Sequence, residues 1–161
     1  MASKGEISAA ILRGNRDVQQ VFGGLMDTQL DTPMQQGDGD WTAGDVLAHL
    51  AGREQVYAMM FQAARGDDPF AAIGDFNAWN EARVAERRGE ARDDLLAEFR
   101  AVHEALLAQI EATDEAELEH VVALGPRRAS LGDLLRGSGG QHSTTHAAEV
   151  ASALGVEGPE A

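Results

Sequence analysis

The sequence predicts an all-α protein, a four-helix bundle, on three observations. Hydrophobic residues make up 43% of the chain while Phe, Trp and Tyr make up only 5%, so aliphatic side chains must fill the core. Such a composition favours helices over a β-sandwich. Apolar residues also recur at helical spacing, and Thr42 with Asp45 and Ser130 with Asp133 form helix-capping patterns. At 161 residues, one domain spanning residues 1–161 is expected.

Capping residues and apolar spacing place each element. The first helix begins at Ser3, whose hydroxyl forms a capping box with Glu6, and the second begins at Thr42. The predicted elements are a helix from Ser3 to near Leu30, a loop over 31–40, a helix from Thr42 to Gly66, a short helix from Asp75 to Arg88, a long helix through Leu95–Ile110, an extended piece over Val121–Pro126, and a last helix from Ser130 to Leu154. Gly155 should end that helix, and the tail 156–161 should fray.

Charge and residue types limit the partners and the chemistry. Thirteen Lys and Arg stand against 27 Asp and Glu, a formal net charge of −14, which repels polyanions and argues against binding to nucleic acid. Because the chain has no cysteine, a metal can be bound only through nitrogen and oxygen. The N-terminus lacks the apolar core of a signal peptide, and no apolar run is long enough to span a membrane. We therefore expect a soluble cytoplasmic protein.

His49, His142 and His146 are predicted to bind one divalent metal ion. His142 and His146 lie four residues apart in the last helix, which puts both rings on one face. His49 lies about 10 Å along a second helix of about 33 Å, and the pair lies about 18 to 24 Å along the last helix. If these helices are antiparallel, the three rings share one level, whereas parallel packing would separate them by about 8 to 14 Å. The i, i+4 spacing alone also occurs by chance.

The sequence allows more than one role for each of four charged residues. Asp45 and Glu149 each lie one turn from a predicted ligand and could orient its ring, or they could cap a helix or face solvent. Arg53 and Arg83 could hold an anionic substrate, although isolated arginines in helices are usually solvated.

The segment 137–140, Gly-Ser-Gly-Gly, weakens the last helix just before the histidine pair. A close approach by a neighbouring helix, a bend that opens a cavity and a poorly formed helix start are all compatible with it. His103 flanks an apolar stripe and His120 lies in an acidic loop, so both are expected to be structural or surface residues.

The segment Trp41–Leu50, followed about ninety residues later by His142–His146, resembles the DinB and YfiT-like superfamily of metalloenzymes. Asp75–Asn77 also looks like the segment before the family's third helix. The resemblance implies an up-down-down-up four-helix bundle with one long crossover, a three-histidine site that usually holds nickel or zinc, and a homodimer. Crossover aromatics at positions 70, 76 and 79, expected to be exposed, also favour a homodimer.

Members of this superfamily have several different activities. The superfamily includes the metal-binding domain of mycothiol-dependent maleylpyruvate isomerase and bacterial thiol transferases, in which the metal activates a low-molecular-weight thiol. This chain has His142 where that isomerase type has a glutamate, and at 161 residues we expect no second domain. The resemblance therefore does not lead us to expect the isomerase reaction itself.

Two functions follow as expectations. The first is a divalent-metal-dependent enzyme that activates a low-molecular-weight thiol or water for transfer to, or hydrolysis of, a small molecule. The second is a non-catalytic metal- or ligand-binding bundle in a stress response. No catalytic residue beyond the metal ligands is assigned, and from the reference pKa of histidine the ion should leave below about pH 6.

Overall fold

Four long helical segments form the molecule, which is described here for residues 1–34 and 40–160 of a computed structural model. In chain order the elements are α1 (Lys4–Gly23), α2 (Asp27–Leu30), α3 (Ala43–Ala51), α4 (Glu54–Ala64), α5 (Phe76–Ala85), α6 (Arg92–Ala112), α7 (Glu115–Leu118), β1 (Val121–Leu124), β2 (Arg127–Ser130), α8 (Leu131–Leu135), a π-helical turn (Arg136–Gln141) and α9 (His142–Leu154). In these ranges no helix combines the length and the apolar character needed to cross a membrane.

The four segments are α1, α3 with α4, α6, and α8 through α9, and their directions follow from side-chain contacts. These contacts are Lys4–Glu111 and Gln19–Leu96 between α1 and α6, Ile7–Gly132 and Asp17–Thr144 between α1 and the last segment, and His49–His142 and Tyr57–Ser138 between the second segment and the last. The last segment is therefore parallel to α1 and antiparallel to the second. This is the up-down-down-up order of the prediction, with α5 in the long crossover.

The predicted helix caps are confirmed. In each of three helices the cap hydroxyl accepts a hydrogen bond from the backbone N–H three residues on, in the pairs Ser3–Glu6, Thr42–Asp45 and Ser130–Asp133. Gly155 ends α9 with φ +63°, in the left-handed region that favours glycine. Beyond it, Val156 packs against the core and donates a backbone hydrogen bond to Ala151, so the start of the tail is held in place.

Two predicted helices are shorter than expected. The first ends at Gly23 instead of near Leu30, because two successive glycines weaken it and Leu25 turns into the core. The second is interrupted at Gly52, where a β-carbon would lie 3.0 Å from Nη1 of Arg87. The absence of a side chain therefore lets this guanidinium pack against the helix break.

The last helix also departs from the continuous helix predicted from Ser130 to Leu154. Its glycine-rich middle forms the π-helical turn, which packs on α1. A β-carbon on Gly140 would lie 2.6 Å from the carbonyl carbon of Ala10, and one on Gly14 would lie 2.8 Å from the carbonyl oxygen of Gly140. Of the three explanations for these glycines, close approach by a neighbouring helix is therefore the one observed.

The predicted extended piece is one strand of a β-hairpin, and its partner, β2, was not predicted. Val121 pairs with Ser130 and Leu124 with Arg127 in antiparallel register. A two-residue turn joins them, with Gly125 at φ +60° in its first position. The second strand contains two arginines, and its short polar sequence gives little alternation from which to predict a strand.

The core consists of two hydrophobic clusters with polar residues between them. One cluster is built around Phe22, Leu47 and Phe99, and the other around Ile11 and Phe61. The buried polar residues include His49, Arg53, His103 and Ser143, and His103 joins the clusters: its ring lies 4.2 Å from that of Phe99 in the first, and its Nε2 lies 3.0 Å from the hydroxyl of Tyr57 in the second. The predicted metal-binding residues therefore lie at a polar level in the bundle.

Candidate metal centre

The structure brings His49, His142 and His146 together. Nε2 of His49 lies 2.9 Å from Nε2 of His142, and one nitrogen from each of the three rings lies within 4.8 Å of the others. His49 is buried in α3, while the other two are half-buried in the first two turns of α9. Antiparallel packing of α3 and α9 places the rings at one level, as the sequence-based argument required.

The donor set suits a divalent transition metal. In a tetrahedral site with metal–nitrogen bonds of 2.0–2.1 Å, two ligand nitrogens lie about 3.3 Å apart. The 2.9 Å between His49 and His142 is close to that value and all three nitrogens lie within 4.8 Å of one another, so small ring movements would close the site. Three imidazoles fill three of four positions, which leaves room for an exchangeable ligand.

Burial keeps these imidazoles unprotonated. Desolvation, followed by the positive charge of Arg53, lowers the pKa of His49 to about 3. The same two causes, in the same order, lower the pKa of His142 still further. Because a metal binds only the neutral ring, burial prepares both side chains to be ligands at neutral pH.

Of the two carboxylates predicted near the ligands, only Glu149 contacts one. Its Oε2 lies 3.0 Å from Nδ1 of His146, which is therefore the protonated nitrogen and leaves Nε2 free to bind a metal. Asp45 instead accepts from the backbone N–H of Thr42 in a capping box and from the side chain of Arg88. Its role is to begin α3 and to hold the crossover.

Trp41 covers one side of the centre. Its ring lies 5.1 Å from that of His49, and its Nε1 donates to Glu81 in α5 at 2.6 Å. Trp41 also lines a cleft of about 700 Å³, together with residues that include Asp75 and Arg88. Trp41 therefore connects α5, in the crossover, with the ring of His49.

Arg53 lies one helical turn beyond His49 and is 7% exposed, so it is not the solvated arginine that the sequence allowed. Its Nη2 donates to the hydroxyl of Ser138, which lies one turn before His142. Its guanidinium also lies over the ring of Tyr57, 5.7 Å from the centroid. Sequence reasoning did not find Ser138 or Tyr57, although both continue the four-residue spacing from the histidines.

His103 extends this polar level into the bundle. Its Nδ1 donates to the carbonyl of Phe99 at 2.8 Å, so Nε2 accepts from the hydroxyl of Tyr57 at 3.0 Å. Burial lowers the pKa of His103 to about 4 and keeps the ring neutral. This is the structural role predicted for it.

The remaining candidates lie away from the centre. Arg83 donates to Gln55 and Glu86 and lies over the ring of Trp79. His120 is exposed, and its Nδ1 donates to the carbonyl of Ala64. Neither residue contacts the three histidines.

One family of proteins matches the sequence directly. Residues 12–137 match the mycothiol maleylpyruvate isomerase N-terminal domain family. The match includes His49 and ends before His142. No curated protein sequence matches the chain.

Two solved structures share the fold. YfiT from Bacillus subtilis, described as "a probable metal-dependent hydrolase with an unusual four-helix bundle topology", has a TM-score of 0.74 at 20% identity over 98% of this chain and 92% of its own. A mutant of the mycothiol-dependent maleylpyruvate isomerase has a TM-score of 0.74 at 13% identity over 92% of this chain. The matched region is 61% of the isomerase. At these identities the likeness establishes the fold.

Proposed function

The chain belongs to the mycothiol maleylpyruvate isomerase N-terminal domain family, within the DinB/YfiT-like superfamily, and we propose that it is a divalent-metal-dependent enzyme acting on a small molecule. His49, His142 and His146 would hold the ion. The observation that carries the proposal is the meeting of imidazole nitrogens from three histidines, within 4.8 Å of one another, at a polar level of the bundle. Such a nitrogen set suits zinc or nickel.

When bound, the ion would supply Lewis acidity and lower the pKa of a thiol or water at the open position. Two residues around the ligands would support this chemistry. Glu149 orients the ring of His146 and raises its basicity through the Nδ1 hydrogen bond. Trp41 shields one side of His49 from solvent.

Thiol transfer to a small electrophile is our first choice of reaction, and hydrolysis is the second. The matched family is named for an enzyme that uses the thiol mycothiol, which favours a low-molecular-weight thiol as cosubstrate. YfiT is described as a hydrolase, which favours water. The site chemistry serves both, because each needs a deprotonated nucleophile near neutral pH.

The alternative is a non-catalytic bundle in which the ion only joins helices or is sequestered. In that case loss of the ion should unfold the protein, since structural metal sites contribute folding free energy directly. The two apolar clusters on either side of the polar level favour the enzyme, because they hold the helices together without an ion.

Metal analysis and thermal unfolding together test this proposal. Protein purified without an affinity tag should contain one equivalent of metal, and His49→Ala should lose it. We expect metal-stripped and His49→Ala protein to remain folded, with a modest loss of stability. His120→Ala, an exposed control, should keep both metal and stability. Metal well below one equivalent after reloading would remove the site, and unfolding on stripping would favour the structural alternative.

We also propose a cytoplasmic homodimer. The sequence-based argument from exposed crossover aromatics is weakened, because Phe70 and Trp79 pack against the core and only Phe76 is exposed. The proposal now relies on the superfamily resemblance. Light scattering that gives only a mass near 17.1 kDa would refute it.

A further inference from the structure

Arg53 is a buried cation without a carboxylate partner. It is 7% exposed, and among residues 1–34 and 40–160 no Asp or Glu forms an ion pair with it. Its Nε has no hydrogen-bond acceptor within the same ranges. Buried charges are ordinarily paired, because leaving water is costly for an ion. This one lies inside a protein with 27 acidic residues, so a shortage of carboxylates does not explain it.

The place of Arg53 relates it to the metal centre. It follows His49 by four residues, and the hydroxyl that it contacts, on Ser138, precedes His142 by four residues. Because the two segments are antiparallel, four residues forward from His49 and four residues back from His142 lead in the same direction along the bundle. The chain leaves regular α-helix at Gly52 and in the π-helical turn. Both four-residue intervals nevertheless lead to the guanidinium, which therefore lies roughly one helical turn, on the order of 5 Å, from the histidines along the bundle axis.

The charges around this level are unbalanced. The carboxylate of Glu149 is directed at His146. Asp45 pairs with Arg88. A divalent cation would therefore add two positive charges close to an unpaired guanidinium, with one nearby carboxylate to offset them. An anion lying between the two cations would stabilise both.

We propose that Arg53 is a specificity-determining residue that binds the carboxylate of a small substrate or thiol cosubstrate. This inference rests on the proposed metal-dependent function and names the chemical class of its ligand. Ser138 and the ring of Tyr57 fix the guanidinium, so its free N–H groups are already oriented for the ligand. A short molecule is required, because one helical turn separates its two ends.

Three thiols with the same two-carbon linker between sulfur and the terminal group test the proposal in cobalt-loaded protein. 3-Mercaptopropionate, 2-mercaptoethanol and cysteamine end in a carboxylate, a hydroxyl and an ammonium group, and each can be titrated by its thiolate-to-cobalt absorption. We expect 3-mercaptopropionate to bind at least about tenfold tighter than 2-mercaptoethanol, the usual effect of a hydrogen bond to a charged group. Cysteamine should bind most weakly.

Variants assign that preference to one side chain. Arg53→Gln should abolish it and Arg53→Lys should restore part of it. Arg127→Gln removes the same charge from the hairpin and should leave it unchanged. Metal-free Arg53→Gln should unfold at the same or a higher temperature than the native protein. If Arg53 were merely structural, this substitution would instead lower the unfolding temperature. Equal binding of the three thiols to native protein would overturn the proposal and leave the metal site standing.

Propionate separates this proposal from the proposed function, because it has no thiol and needs no metal. It should raise the unfolding temperature of metal-free native protein but not that of Arg53→Gln. That result would support the anion site even if the protein took up no cobalt, an outcome that would defeat the metal-dependent function. If propionate changed the unfolding temperature of both proteins equally, Arg53 would not be the anion-binding residue, whether or not the protein takes up a metal.

Discussion

Acid should destabilise the metal-free protein through its buried histidines. Burial lowers the pKa of His49 to about 3 and of His103 to about 4, and it lowers the pKa of His142 further than either. In the unfolded chain each ring titrates near the reference value of 6.5. Unfolding therefore takes up protons below that pH, and stability present above pH 6.5 is lost as the pH falls toward the folded values.

The size of the effect follows from these pKa values. At about pH 5 the folded rings are still neutral, while this pH lies about 1.5 units below the pKa of the unfolded rings. Each ring therefore lowers the free energy of unfolding by about 2 kcal/mol, since one pH unit corresponds to 1.36 kcal/mol. Three rings together cost about 6 kcal/mol, a large part of the 5–15 kcal/mol typical of a domain. Carboxylates contribute little in this window, because their ordinary pKa values are about 4.

Urea unfolding of metal-stripped protein at several pH values between about 7 and 5 measures this loss. The slope near pH 5.5 should correspond to uptake of at least about three protons on unfolding, since burial also lowers the pKa of His146. His103→Gln should reduce that number by one without touching the predicted metal ligands. His120→Gln, which removes an exposed histidine, is the matched control for the substitution itself. A change of less than about 1 kcal/mol over the whole range would refute the argument that these imidazoles are buried and neutral.

Three further results are expected. Gly140→Ala should destabilise the protein by about 2–3 kcal/mol in urea unfolding, because its β-carbon would overlap Ala10, whereas Gly137→Ala, which meets nothing closer than 4.0 Å, should be neutral or slightly stabilising. Glu149→Gln should weaken zinc affinity about tenfold or more in competition with a chelator, because the ring of His146 loses its carboxylate acceptor. The loaded protein should keep its ion below about pH 6, where the reference pKa predicted release, because burial lowers the pKa of the ligand rings; dialysis followed by metal analysis at about pH 5.5 checks this.

The sequence predicted the beginnings of helices better than their interiors. Thr42 and Ser130 satisfy the first backbone N–H groups of their helices by local contacts, which a sequence pattern shows directly. The break at Gly52 depends on Arg87, thirty-five residues away, and the π-helical turn depends on the approach of α1. Such breaks are set by tertiary packing, so local propensity could predict weak points but not their geometry.

The same distinction applies to the candidate site. The histidine triad was predictable because helix rise and antiparallel packing alone put His49 level with the pair in α9. The burial of Arg53 was not, because a charged side chain at that position is usually solvated. Its polar partner, Ser138, lies in a glycine-rich turn whose packing could not be inferred from spacing.

The close approach of α1 to the last segment connects the fold to the site. Gly14 and Gly140 let the two backbones meet, which brings the π-helical turn into the bundle and directs Ser138 towards Arg53. The resulting polar level costs stability, because it interrupts what would otherwise be one apolar core. Apolar side chains at these positions would give a more stable bundle, so the polar level is better explained by a ligand than by folding. The histidines suit a cation and the buried arginine suits an anion, so the ligand proposed above would carry its metal-binding atom and its negative charge roughly one helical turn apart.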